Sequence, residues 1–120
     1  MRHFARYASV GAVATLVHYT LLVICVERLG WPAFFGAGVG AVAGAQVAYA
    51  GNRWFTFSHR GSLAASWLRF QATALAGALL GMAIVGAGVA LGWYYLLAQV
   101  AATLAGLVLT FAINRSWTFR

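Results

Sequence analysis

The sequence predicts an all-α integral membrane protein with four transmembrane helices, and three observations support this fold class. Hydrophobic residues make up 63% of the 120-residue chain, whereas charged residues make up 8%. An ordinary soluble domain has about 25% charged residues, so this chain has too few polar groups to cover a water-exposed surface. The charges also lie between apolar stretches that are long enough to cross a bilayer.

The first two spans are predicted in the first half of the chain. Residues 8–26 carry no formal charge and predict the first span, because about 20 predominantly apolar residues cross the hydrocarbon core. Pro32 marks the turn after this span, since proline has no N–H to donate and restricts the residue before it. Residues 33–50 predict the second span, and Gly51 begins a helix stop signal.

The last two spans are predicted in the second half. The mixed segment 54–67 predicts a loop that lies along the membrane surface. Residues 70–113 carry no charge, and this stretch is too long for one helix and long enough for two. We expect a break at Gly92, because the aromatic cluster at 93–95 that follows it is typical of membrane–water interfaces.

The distribution of arginine predicts the orientation of the chain. All eight basic residues are arginines, and four spans place seven of them on the side of the two termini. Arg28, beside the single acid Glu27, is on the opposite side. By the positive-inside rule, both termini are expected in the cytoplasm. The formal net charge of +7 therefore indicates contact with an anionic membrane surface and not with nucleic acid.

The composition excludes several kinds of chemistry. A single acid rules out mechanisms in which two carboxylates share the acid and base roles. One cysteine, Cys25, provides neither a disulfide nor a cysteine-rich metal site, and the three histidines lack ligand spacing. The sequence therefore predicts a protein that is not an enzyme, with no catalytic residue, no metal and no cofactor.

A hexapeptide motif occurs twice. Residues 52–57 read Asn-Arg-Trp-Phe-Thr-Phe, and residues 114–119 read Asn-Arg-Ser-Trp-Thr-Phe. Each copy follows an even-numbered span, which predicts one transmembrane domain of two tandem helical hairpins, 1–60 and 61–120. Because each repeat has two spans, the copies are expected to be parallel. The alternative is that arginine and aromatic residues recur at any cytoplasmic interface.

These motifs resemble the GtrA family of small four-span membrane proteins. The start of the first span carries the family's Arg-aromatic and glycine pattern at Arg6, Tyr7, Val10 and Gly11. Together with both hexapeptides, the resemblance covers almost the whole chain. The chain departs from the family pattern at Trp54, which precedes a phenylalanine where the family has its tryptophan, and at His18, where a small polar or acidic residue is expected.

The resemblance implies a function in the bacterial cytoplasmic membrane. Family members look like translocases, or partners of translocation, for polyprenyl-phosphate-linked sugars such as undecaprenyl-phosphate-glucose. These sugars are then used to glycosylate polysaccharide at the cell surface. The implied partners are this sugar lipid, the surrounding membrane lipids and membrane glycosyltransferases of the same pathway. The alternative is a non-transporting anchor or partner subunit of such a glycosyltransferase.

Two further expectations concern assembly and a competing transport class. Four thin spans enclose little space, so we expect a homo-oligomer. A small proton-coupled exporter of cationic drugs also has four spans, but its chemistry needs a buried carboxylate. The single acid, Glu27, is expected at the end of a span and is poorly placed for that role.

Four arginines are candidates for binding the substrate phosphate, because the guanidinium fork matches phosphate oxygens bidentately. Arg53 and Arg115 occupy the repeated motif, and Arg6 and Arg69 form a second pair before spans one and three. Motif support is expected from Asn52, Asn114, Trp54 and Trp117, as helix-end caps and interfacial anchors. The alternative is that the arginines are topology signals that extend to lipid headgroups.

Five side chains within the spans are predicted to form a polar path for the sugar. They are Gln46, Tyr49, Gln99, Thr103 and His18. The first two share one face of the second span with Arg53, at positions i, i+3 and i+7. The alternative is that these side chains only hydrogen-bond neighbouring helices, which is worth about 0.6 kcal/mol each.

Glycines recur at every fourth position within the predicted spans. The series are Gly36, Gly40 and Gly44, the pair Gly77 and Gly81, and the pair Gly88 and Gly92. This spacing predicts faces on which helices approach closely. It does not indicate a phosphate-binding loop, which lies between a strand and a helix.

Overall fold

The structure is a bundle of four long helices. The computed structural model describes residues 2–51, 53 and 63–113. The elements are α1 (Arg2–Val23), which continues as a π-helical turn (Ile24–Arg28), then α2 (Ala33–Gly51), α3 (Leu63–Ala90) and α4 (Tyr95–Ile113). All four helices are long and apolar enough to cross a membrane. The predicted all-α membrane fold with four spans is therefore confirmed.

Neighbouring helices in the bundle are antiparallel. α2 packs against both α1 and α3, and α3 packs against α4, while side-chain hydrogen bonds connect α1 to α4. We call the end where α1 and α3 begin and α2 and α4 finish the terminal end. The turn end, opposite to it, carries the short connections 29–32 and 91–94.

Both connections at the turn end depend on a glycine with positive φ. Gly30 has a φ of 69° and Gly92 a φ of 92°, conformations that L side chains rarely adopt. After α3, Trp93 N donates to Gly88 O at 2.9 Å and Gly92 N donates to Val89 O at 3.0 Å. These are the two hydrogen bonds of a Schellman motif, which ends a helix. The predicted break at Gly92 is confirmed.

Glycines bring α1 and α2 into close contact. A Cβ atom on Gly40 would lie 2.5 Å from the His18 carbonyl oxygen, and one on Gly44 would lie 2.9 Å from the Ala14 carbonyl oxygen. At Gly36 the same atom would lie 3.2 Å from the Leu22 side chain of α1 and 3.1 Å from Cys25 of the π-helical turn. The predicted packing role of this glycine series is therefore confirmed.

The other glycine pairs behave differently. Gly88 packs so closely that a Cβ on it would lie 2.8 Å from the Cβ of Ala98, whereas Gly77 has nothing within 4 Å. The packing prediction is wrong for Gly77, because the neighbouring Ala78 takes the buried position of this helix turn. It is also wrong for Gly92, which lies in the turn after α3 with nothing within 4 Å of an added Cβ. Gly81 makes only an ordinary van der Waals contact with α4.

The interior is built mostly from small residues, and many large apolar side chains face outward. The buried core cluster comprises Leu22, Ala37, Val85, Tyr95, Ala98 and Ala102. Exposed leucines, valines and phenylalanines lie along α1, α2, α3 and α4. This distribution suits a bilayer, because lipid chains are as apolar as leucine and helices associate through small residues.

The helix α3 begins at an earlier residue than the start predicted from the uncharged stretch 70–113. The helix starts at Leu63 and not at Phe70, so Arg69 lies within it. A helix can continue beyond the hydrocarbon core into the headgroup region, where charged side chains are solvated. The predicted loop 54–67 is therefore wrong for its last five residues, and the part from 54 to 62 lies outside the described residues.

Candidate functional site

A polar cluster joins α1 to α4 within the membrane-spanning part of the bundle. The Tyr19 hydroxyl lies 2.7 Å from Thr103 Oγ1 and 3.4 Å from the Gln99 carbonyl oxygen. Thr103 Oγ1 donates to the same carbonyl at 2.9 Å, and Gln99 Nε2 donates to Thr103 Oγ1 at 3.3 Å. In hydrocarbon these groups have no water to bind, so the cluster holds α4 against α1.

Two buried polar atoms beside this cluster have no hydrogen-bond partner among the described residues. They are His18 Nε2 and Gln99 Oε1, and Gln99 is only 2% exposed. The imidazole ring faces the Gln99 side chain and the backbone carbonyl of Ala37. An unsatisfied buried donor or acceptor costs about 1–3 kcal/mol. A hydrogen-bonding group that reached either atom would relieve this cost.

A second set of polar contacts lies between α2 and α3. Gln46 Nε2 donates to Gln71 Oε1 at 2.7 Å, and Gln71 Nε2 donates to Gln46 Oε1 at 3.1 Å. Nearer the terminal end, the Tyr49 and Phe70 rings pack with their centroids 5.3 Å apart. These contacts place the predicted face of α2 against α3. We call this strip, with Arg53 at its end, the α2–α3 seam.

Arg53 lies at the terminal end of the α2–α3 seam. It is four residues beyond Tyr49, so it continues the stripe begun by Gln46. The residue is partly buried, and its Nη1 atom is fully buried without a hydrogen-bond partner in the described part of the chain. A desolvated guanidinium nitrogen without a partner is unfavourable, and an anion that accepts a hydrogen bond from it would relieve this cost.

The single acid lies at the opposite end of the bundle. The Tyr95 hydroxyl donates to Glu27 Oε2 at 2.8 Å, which joins the π-helical turn after α1 to the start of α4. This contact is at the turn end, whereas Arg53 is at the terminal end. The one acidic side chain of the sequence is therefore not placed to neutralise Arg53.

The predicted polar path is divided into two groups. His18, Gln99 and Thr103 lie between α1 and α4, whereas Gln46 and Tyr49 lie on the α2–α3 seam. The structure therefore separates the five side chains, and their role in a sugar path stays a prediction. The sequence did not show this separation, because helical spacing identifies which side chains share a face but not which helix that face meets.

The predicted phosphate-binding residues are only partly within the described residues. Arg53 is described above, and Arg6 and Arg69 are exposed on α1 and α3 near the terminal end. Five predicted residues lie outside the described part of the chain: Arg115, Asn52, Asn114, Trp54 and Trp117. The pairing of Arg53 with Arg115 stays a prediction.

Sequence reasoning missed several residues that make the polar contacts. Tyr19 and Gln71 each carry a hydroxyl or amide within an apolar helix, and such a group needs a partner in hydrocarbon. That signal was present in the sequence. The Tyr95–Glu27 contact had a weaker signal, because both residues were expected at an interface, where water can also satisfy them.

Comparisons with known proteins add one finding. A family model described as GtrA/DPMS, transmembrane domain, matches residues 6–119. The matched range contains all of α2, α3 and α4, most of α1, and both hexapeptides. No curated protein and no solved structure shows a significant match to the chain.

Proposed function

This chain belongs to the GtrA/DPMS transmembrane-domain family, and on that premise we propose that it translocates a polyprenyl-phosphate-linked sugar across the bacterial cytoplasmic membrane. The family match confirms the resemblance noted from the sequence motifs. We take undecaprenyl-phosphate-glucose as the example substrate and glycosylation of cell-surface polysaccharide as its use. Cytoplasmic termini, a homo-oligomeric state and membrane glycosyltransferases as partners are further parts of the proposal.

The observation that carries this proposal is the environment of Arg53. Its buried Nη1 atom has no hydrogen-bond partner among the described residues, and the single acid of the chain lies at the other end of the bundle. A phosphate oxygen accepts charge-assisted hydrogen bonds, which are stronger than neutral ones. Arg115 occupies the same place in the second hexapeptide, so two guanidinium groups are proposed to hold one phosphate.

The α1–α4 cluster supports a path for the sugar. A sugar hydroxyl both donates and accepts hydrogen bonds, and the buried His18 Nε2 and Gln99 Oε1 atoms have no hydrogen-bond partner among the described residues. This polar cluster also includes Tyr19, the neighbour of His18, and Thr103, one helix turn beyond Gln99. These groups would replace part of the water that the sugar loses on leaving the interface.

The proposed driving force does not involve a proton relay through carboxylates. The chain has one acid, Glu27, and it lies at the turn end as the acceptor of the Tyr95 hydroxyl. Consumption of the translocated sugar lipid at the outer face of the membrane would make net outward movement favourable. Outward movement of one negative charge also gains about 2.3 kcal/mol per 100 mV when the inside is negative.

Translocation by the purified protein tests this proposal. The protein is reconstituted into vesicles with undecaprenyl-phosphate-glucose in both leaflets, and a membrane-impermeant reagent modifies the exposed sugar. We expect the accessible fraction to rise beyond the outer-leaflet share in protein-containing vesicles only. A fluorescent phosphatidylcholine in the same vesicles serves as the control and should stay in its leaflet.

Two results would count against translocation by this chain. If the folded protein leaves the inner-leaflet sugar protected, the proposal is rejected. If protection persists with the pure protein and modification of sugar depends on an added polyprenyl-phosphate glycosyltransferase, the anchor alternative is favoured instead.

A further inference from the structure

An apolar groove runs between α2 and α3 on the outside of the bundle. Its volume is about 520 Å³, and every residue that lines it is apolar. Larger side chains on its walls include Val39 and Val42 of α2 and Leu75 and Leu79 of α3. Leu79 is 57% exposed, so the groove is open to lipid along its side.

The groove continues the α2–α3 seam toward the turn end. Val42 precedes Gln46 by four residues, and Leu75 follows Gln71 by four, so both walls lie on the same stripes as the amide pair. Arg53 is eleven residues beyond Val42, or about 16 Å along a helix axis. From the terminal end inward, the seam therefore presents a cation, an aromatic pair, an amide pair and then apolar walls.

We propose that this groove holds the isoprenoid chain of a polyprenyl phosphate whose phosphate binds Arg53, an inference that rests on the proposed function. The order of chemistry along the seam matches the order of groups in that lipid, with the anion at the interface and the chain in the hydrocarbon. Charge complementarity selects an anionic lipid, because the buried Nη1 atom of Arg53 has no partner among the described residues.

The floor of the groove is closed by small residues. Gly38 and Ala78 are buried there, and a Cβ on Gly38 would lie 2.6 Å from Met82 Sδ, so the Met82 side chain already occupies the space beside Gly38. A chain in the groove would therefore lie between the exposed side chains of Val42 and Leu79 and gain dispersion contacts with both.

The amide pair adds hydrogen-bond donors between the cation and the groove. The reciprocal contact uses one N–H of Gln46 and one of Gln71. Each amide nitrogen carries two hydrogens, so one N–H on each side chain is available beyond this contact. These donors lie where the polar head of the bound lipid gives way to its chain.

Photolabelling tests the position of the chain. The full-length protein, in phosphatidylcholine vesicles, is exposed to a polyprenyl phosphate that carries a diazirine in its isoprenoid chain. We expect the label on peptides of α2 and α3. Leu79→Trp places a larger side chain in the groove and should lower this labelling about tenfold. A tenfold change corresponds to a free-energy difference of about 1.4 kcal/mol, which lies within the range of overpacking costs.

A matched variant and a second groove variant control for folding. Leu107 of α4 is 62% exposed and does not line the groove, so Leu107→Trp should leave labelling unchanged. Val42→Phe fills the opposite wall and should reproduce the loss seen with Leu79→Trp. Unlabelled polyprenyl phosphate should compete with the probe, whereas added phosphatidylcholine, which carries no net charge, should not.

The outcomes separate this inference from the proposed function. Labelling mainly on α4, equal loss in the Leu79 and Leu107 variants, or equal competition by phosphatidylcholine would overturn the groove assignment. Labelling in the groove without sugar movement in vesicles would leave the assignment standing and reject translocation. Sugar movement with the label elsewhere would reject the groove assignment alone.

Discussion

Replacing Arg53 with glutamine should slow sugar-lipid translocation about 10- to 100-fold, because hydrogen bonds to charged groups are worth about 1.5–3 kcal/mol. Arg53→Lys keeps the charge but loses the planar fork that binds phosphate bidentately, so its rate should fall between those of the wild type and the glutamine variant. The initial rate of sugar exposure in reconstituted vesicles measures both effects.

The matched control is an arginine at the other end of the bundle. Arg28 lies at the turn end beside Glu27, so Arg28→Gln should leave the rate unchanged. Arg115→Gln should resemble Arg53→Gln, because the repeated hexapeptide places both arginines in the same motif. Wild-type rates in both Arg53→Gln and Arg115→Gln, with normal insertion and topology, would contradict a phosphate-binding role.

Replacing Gly40 with alanine should destabilise the bundle by about 1–3 kcal/mol, the usual cost of overpacking a tight interface. The added Cβ would lie 2.5 Å from both the His18 carbonyl oxygen and the ring carbon Cδ2. Because one of these atoms belongs to the backbone, α1 and α2 must separate to admit it. The free energy of unfolding in mixed micelles, from a denaturing-detergent titration, measures the loss.

Gly77 provides the matched control for this substitution. It lies in the interior of α3 with nothing within 4 Å of an added Cβ, so Gly77→Ala should stabilise the helix by about 0.5–1 kcal/mol. Equal effects at Gly40 and Gly77 would show that α1 and α2 do not pack through this glycine face.

The four spans were predictable because their signals are local. Uncharged length, Pro32 and Gly92 divide the chain at the correct places, and α2 begins and ends within one residue of its prediction. The shared face of Gln46 and Tyr49 was also predictable, since it follows from helical periodicity alone. The starts of α1 and α3 were not, because hydropathy reports the hydrocarbon-spanning part of a helix and not its continuation into the headgroups.

The contacts between helices were much less predictable. Gly40 and Gly77 show the same spacing of small residues, yet only Gly40 lies against another backbone. Likewise, the Gln46 side chain pairs with Gln71 of α3, whereas the Gln99 side chain donates to Thr103 of its own helix and its backbone carbonyl accepts from Tyr19 of α1. Which face meets which neighbour depends on how the helices pack around one another, and no short segment of sequence specifies that arrangement.

The most direct measurement is nitrogen–phosphorus dipolar dephasing between arginine guanidinium groups and the lipid phosphate. The protein, labelled with nitrogen-15 in arginine, is saturated with undecaprenyl-phosphate-glucose in a phosphorus-free maltoside detergent and frozen. We expect clear dephasing in the wild type, a large decrease in Arg53→Gln and no change in Arg28→Gln. Absence of dephasing in the wild type, or the same amplitude in Arg53→Gln, would show that the phosphate is not held at the terminal end by this side chain.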